Sequence, residues 1–131
     1  MRVVVGFLFA AHGWQKYNEW TIAGTQAAFG KMGIPFADVV APTIATLELG
    51  GGIALILGLF ARPVAALLTL NMLGALLLVH LSAGVFVANG GYELVLLLGA
   101  AALAIAFAGP GRASVDRALF GSRRSKVSAL A

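Results

Sequence analysis

Five ionisable side chains lie inside apolar stretches of this sequence or at their borders, and any chemistry it performs has to draw on them. Glu48 stands within the apolar residues 39–61, about ten residues and roughly 15 Å from the nearer end. A carboxylate at that depth must be neutral, or paired with a cation or a hydrogen-bond donor, and such groups mark proton and ligand pathways in membranes. It can equally be a neutral acid bonded to a backbone carbonyl, serving only to join helices. His12, His80 and Glu93 fall within one or two turns of a common boundary, with Lys16 just above them. A histidine and a carboxylate in such a layer could donate to and accept from a quinone carbonyl, or relay protons, with Tyr17 or Trp14 as a wall. The plainer reading has His12 and Lys16 snorkelling to headgroups and Glu93 capping a helix start. Asn71 is nine residues from His80, on the opposite side of its helix, so its amide is expected to bond a neighbouring helix.

Other chemistries are excluded or poorly served. The chain has no cysteine, so it houses no disulfide, persulfide chemistry, thiol electron transfer or Cys-ligated metal. Two histidines without a third ligand make haem a poor fit, and no metal is expected. Gly50-Gly51-Gly52 lacks the preceding strand and following lysine of a phosphate loop. No hydrolytic Ser/His/Asp set or carboxylate pair sits in an exposed setting.

The elements that must position these residues are membrane spans. Residues 63–92 contain no Asp, Glu, Lys or Arg, and the 131-residue chain is 60% hydrophobic and 11% charged. A soluble domain carries about a quarter charged residues, so the fold class is an all-α integral membrane protein. Four spans are expected at about 2–16, 35–60, 63–82 and 91–109, forming an up-and-down bundle over residues 1–111. The first is short, rising ~22 Å against a ~30 Å hydrocarbon core. It resembles a signal peptide, but its removal would break the charge asymmetry described below. Residues 15–33 are too polar to cross and rich in aromatics, which predicts an outer interfacial helix between spans one and two. Thr21 is its expected cap, with Ile22, Phe29 and Met32 pointing one way. Pro35 suits the first turn of span two, and Pro42 should kink it.

Glycine marks the packing faces. Arg2, Gly6, Phe9, Gly13 and Lys16 fall on one helical line, as do Glu48, Gly52, Leu55, Leu59 and Arg62. Helices in lipid associate where small residues let backbones approach, so Gly6, Gly13, Gly51, Gly52 and Gly58 are the expected packing positions. The two stripes should face each other or the bundle centre.

The net charge of +4 resides in residues 112–131, where Arg112, Arg117, Arg123, Arg124 and Lys126 meet Asp116 alone. That basic tail, with Arg2 and Arg62, is read as cytoplasmic and membrane-anchoring, which puts both termini inside by the positive-inside rule. Ser114 can cap a turn carrying Val115, Leu119 and Phe120. The lipid bilayer is the expected partner, and nucleic acid is not.

Taken in order, Arg2-x3-Gly6-x2-Phe9-x3-Gly13-x2-Lys16, Gly33-Ile34-Pro35, Glu48-x2-Gly51-Gly52, Gly58-Leu59-x2-Arg62, His80, Asn89-Gly90-Gly91-Tyr92-Glu93 and Gly109-Pro110-Gly111-Arg112 form a specific series. From residue 2 to about 116 the chain resembles the DoxX family of small four-helix bacterial inner-membrane proteins. The resemblance implies a role beside a quinone-linked oxidoreductase or an oxidative-stress complex, with other membrane subunits or soluble redox enzymes as partners. A quinone is then the cofactor to expect, held by His80 and Glu93 with Glu48 as a deeper proton acceptor. The alternatives are a non-catalytic scaffold that docks partners, a homo-oligomer included, and transport of a small solute or proton.

Overall fold

The computed structural model describes residues 1–120, and all their regular structure is helical. Arg123, Arg124 and Lys126 of the tail lie outside the described residues. Helices α1 (Arg2–Asn18), α2 (Ile22–Lys31), α3 (Ala37–Leu57), α4 (Ala61–Ala75), α5 (Glu93–Ala108) and α6 (Val115–Phe120) follow in order. A π-helical turn, Leu76–His80, and a 3-10 turn, Leu81–Ala83, prolong α4. By length and apolarity α3 and the continuous stretch Ala61–Ala83 are long enough to cross a membrane, and α5 is a third, shorter apolar helix.

The bundle is polarised the way a membrane solvent demands. Its inside is lined by Phe9, Leu55, Leu68, Ala102 and Ile105, while Leu70, Leu97 and Phe107 point outward and are 64%, 66% and 77% exposed. Large apolar groups on the outside are at home where acyl chains replace water. α1 packs along α3 and α4 along α5, with a narrower α3–α4 seam joining the two pairs.

Local sequence explains where the helices start and stop. Thr21 caps α2 by accepting from the Gly24 amide at 3.1 Å. The face of α2 turned inward carries Thr25, with Ile22 and Phe29 half-buried, whereas Met32 lies beyond the helix and is exposed. The sequence assigns Pro35 to the first turn of the next helix, but α3 begins only at Ala37. Phe36 adopts a left-handed conformation (φ 54°) that separates the proline from the helix. Pro42 sits within α3 and has no N–H to offer the Asp38 carbonyl four residues back. Gln26 of α2 supplies that missing donor, its Nε2 lying 2.8 Å from the Asp38 oxygen.

At its other end α3 stops at Gly58 (φ 72°), so Leu59 and Arg62 do not continue its buried stripe as the helical line predicts. Arg62 belongs to the first turn of α4 instead.

Candidate functional site

Two glycine-lined faces meet between α1 and α3. A Cβ on Gly52 would come within 2.4 Å of the Ala10 nitrogen and 2.5 Å of the Gly6 oxygen, and one on Gly13 within 2.3 Å of the Leu49 nitrogen. Backbones this close leave no room for larger residues. Gly51 faces the other way, toward Val64 and Leu68 of α4.

At the end of this seam the Lys16 ammonium is bonded to Glu48, and both residues are buried. Glu48 sits eleven residues after Ala37 and nine before Leu57, at the middle of α3. Its second oxygen accepts from the Asn71 amide of α4 at 3.0 Å, so one carboxylate ties three helices together. The Lys16 ammonium also lies 5.9 Å from the Trp20 ring centroid, within range of a cation–π attraction. Its carbonyl accepts from the Thr25 hydroxyl at 3.3 Å. A buried charge pair is tolerated when further partners support it, and here Asn71 bonds the free carboxylate oxygen while the Trp20 ring faces the ammonium.

The sequence grouped Lys16 with His12, His80 and Glu93 in one shallow layer, and the structure divides that group. The His80 Nδ1 donates to the Gly90 carbonyl at 2.6 Å, and a Glu93 oxygen accepts from the Val87 amide at 2.6 Å. Both close the loop between α4 and α5. His12 donates through Nδ1 to the Leu8 carbonyl of its own helix at 3.0 Å. The Tyr17 hydroxyl bonds Thr46 at 2.6 Å. That bond stands beside an open hollow of about 480 Å³ lined by Pro42, Thr43, Thr46 and Leu47. Among the described residues no three His, Asp or Glu side chains converge as a metal site would require.

The opposite end of the bundle is tied by residues expected to lie at the headgroups. Arg2 donates through Nη1 to the Leu55 and Ile56 carbonyls at 2.6 and 3.0 Å, and through Nη2 to Ala113 at 2.5 Å. It therefore caps the C-terminus of α3, where a cation complements the helix dipole. Gly58 makes this possible, since a Cβ there would lie 2.2 Å from Arg2 Nη1. Asp116 was missed as a structural residue by the sequence reading. It is fully buried, and its two oxygens accept from the Phe60 and Ala61 amides at 2.8 and 2.9 Å, capping α4 from a distant part of the chain. Ser114 caps the last helix through the Arg117 amide at 3.2 Å. Residues 113–116, placed in the tail by the sequence, are thus bonded to the bundle. Arg112 and Arg117 are exposed, and Arg62 is half-buried.

An all-helical chain with lipid-type outer faces, a glycine-packed seam and a buried ion pair defines a small helical membrane protein. The chain belongs to the DoxX family, whose model matches residues 1–81. It is 34% identical over 130 residues to the Bacillus subtilis protein named "Putative oxidoreductase CatD", covering 98% of this chain and 92% of that protein. Identity to the "Inner membrane protein YqjF" of Escherichia coli is 31% over 118 residues, covering 90% and 88% of the two chains. The "Uncharacterized membrane protein Rv3486" of Mycobacterium tuberculosis is 33% identical over 131 residues, with 91% and 78% covered. No solved structure matches the chain.

Proposed function

We propose that this chain is the four-span membrane subunit of a bacterial oxidoreductase system, with both termini cytoplasmic and α2 at the outer interface, and that Lys16 and Glu48 handle protons for a quinone. The observation that carries the reading is the buried Lys16–Glu48–Asn71 centre. Helices can be joined in lipid by glycine contacts alone, and a charge pair adds desolvation cost that packing does not require. The name of the Bacillus relative supplies the redox class. The hollow beside Tyr17 and Thr46 is the place for the headgroup in this reading, because the hydroxyls at its edge can bond a quinone carbonyl. His80 and Glu93 each give one atom to closing their own loop, and this reading assigns the proton role to Lys16 and Glu48 instead.

Reduction of a quinone takes two electrons and two protons. The electrons come from a partner's cofactor, since this chain has no cysteine to carry them. The protons pass through Lys16 and Glu48, whose shared hydrogen bond allows one to transfer and be replaced. Protein purified into nanodiscs should retain extractable quinone, and Glu48→Gln should abolish quinone reduction by a reconstituted electron-donating partner. Quinone-free protein with no response in that assay would end this reading.

A second reading, a non-catalytic scaffold, is favoured by the tight α1–α3 seam and by the loop-bonded His80 and Glu93. Affinity purification from native membranes tests it. The truncation should begin at Gly121, because removal of Asp116 would uncap α4. A partner lost with residues 121–131 would support the scaffold; an unchanged partner set would count against it.

A further inference from the structure

The two arginines that mark the same end of the bundle are in different states. Arg2 is held by three carbonyls. Arg62, by contrast, has a fully buried Nε without a hydrogen-bond partner. No carboxylate among the described residues pairs with it, since the ion pair found there is Lys16–Glu48. Asp116, the acid nearest in the fold, has both oxygens bonded to the Phe60 and Ala61 amides and is closed to solvent.

The guanidinium of Arg62 lies on Gly109, where a Cβ would come within 3.0 Å of Nε and 3.2 Å of Nη2. Glycine therefore opens the last turn of α5 to this cation. Three residues further on stands the exposed Arg112, separated by Pro110 and by Gly111, whose missing Cβ would meet nothing within 4 Å. Two cations thus flank a glycine turn that carries no acidic side chain. The turn ends α5, and Ala61–Ala83, which Arg62 opens, is an apolar stretch of spanning length. In a bilayer this level is where lipid phosphates lie. Phe107, two residues before Gly109, is 77% exposed and offers an acyl chain its apolar surface.

We propose that Arg62 and Arg112, gathered around the Gly109–Gly111 turn, bind the phosphodiester of an anionic phospholipid whose acyl chain runs over Phe107. Guanidinium N–H groups match phosphate oxygens in geometry and charge. Arg62 supplies the fixed cation, and Arg112 closes over the headgroup from the chain that follows. The site is independent of the redox reading, since it lies at the other end of the helices from Lys16.

The test is native mass spectrometry of the full-length protein in detergent, titrated with phosphatidylglycerol, with zwitterionic phosphatidylcholine, and with inorganic phosphate as competitor. Phosphatidylglycerol should be retained preferentially, and Arg62→Met or Arg112→Gln should each weaken retention about fivefold. Arg112 is exposed, so its variant reports binding even where Arg62→Met impairs folding. Equal retention of the two lipids, or wild-type retention by Arg112→Gln, would overturn the proposal. Displacement of the lipid by millimolar inorganic phosphate would assign the site to free phosphate and overturn the lipid source.

Discussion

The α1–α3 pair and the α4–α5 pair use opposite means to join two helices. α1 and α3 touch backbone to backbone at Gly6, Gly13 and Gly52, and close with a charged bond between Lys16 and Glu48. α4 and α5 interlock side chains, with Leu68, Met72, Val95, Leu98, Ala102 and Ile105 in one apolar cluster. Asn71 of α4 crosses between them to reach Glu48. The contrast teaches where function can reside. An apolar interface tolerates drift and exchange of side chains, whereas a glycine seam fixes the distance between backbones. The ion pair depends on that distance, so the glycine seam sets its geometry and the apolar pair supports it from α4 through Asn71.

Loss of one charge should test the contrast most severely. Lys16→Met leaves the Glu48 carboxylate buried with Asn71 as its remaining partner, and breaking a buried pair in this way costs about 3–5 kcal/mol. Thermal unfolding in detergent followed by circular dichroism should show that loss. The double variant Lys16→Met, Glu48→Gln should recover most of it, because a neutral amide beside Asn71 leaves no isolated charge. A double variant as unstable as the single one would show that geometry rather than charge balance holds this seam.

Glycine substitutions come next and separate the two pairs directly. Gly52→Ala drives a methyl into the Ala10 nitrogen and Gly6 oxygen, neither of which can move without its helix, and should cost about 3 kcal/mol. Gly99→Ala on α5 meets the Met72 Cβ at 3.1 Å. That Cβ moves only with its helix, but a shift of a few tenths of an ångström relieves the contact, far less than Gly52→Ala demands, so the cost there should be about 1 kcal/mol. Equal losses in the two melts would erase the distinction between a backbone seam and a side-chain seam.

How much of this was legible in the sequence follows from what each feature depends on. The α1 stripe was legible, because Arg2, Gly6, Phe9, Gly13 and Lys16 are related by helical period alone. Glu48 was legible as a buried carboxylate that needs a companion. Its companion was not, since the pairing with Lys16 depends on how far α1 rises beside α3, and that register is set by the crossing of two glycine faces. His80 and Glu93 drew attention by residue type, yet their partners are loop carbonyls and amides that no spacing rule reveals. Asp116 was hidden for a third reason: its role requires the chain leaving α5 to return to the turn between α3 and α4. A signal was present in Gly58 beside a helix end and in the lone acid within a basic segment, though neither names the other.

Asp116→Ala should have a smaller effect than either change in the seam. Both carboxylate bonds to the start of α4 disappear, and loss of an N-terminal cap costs about 1–2 kcal/mol. The effect should appear as faster hydrogen exchange at the Phe60 and Ala61 amides, with the amides near Glu48 unchanged. Exchange that accelerates equally at both ends would mean that the two pairs unfold as one unit and that the cap supports the whole bundle.

Gly74→Ala should have the smallest effect and the opposite sign. A Cβ at this position of α4 meets nothing within 4 Å, unlike Gly52, which lies against another backbone. Alanine within a helix is favoured over glycine by about 0.5–1 kcal/mol, chiefly through the entropy of the unfolded chain. The melt should therefore rise slightly. A fall would show that a backbone does approach Gly74 in the detergent-purified protein, and the natural source is a second copy of the chain. Chemical cross-linking of the wild type and the variant distinguishes the cases: a dimer band lost in Gly74→Ala would move α4 into the class of glycine seams.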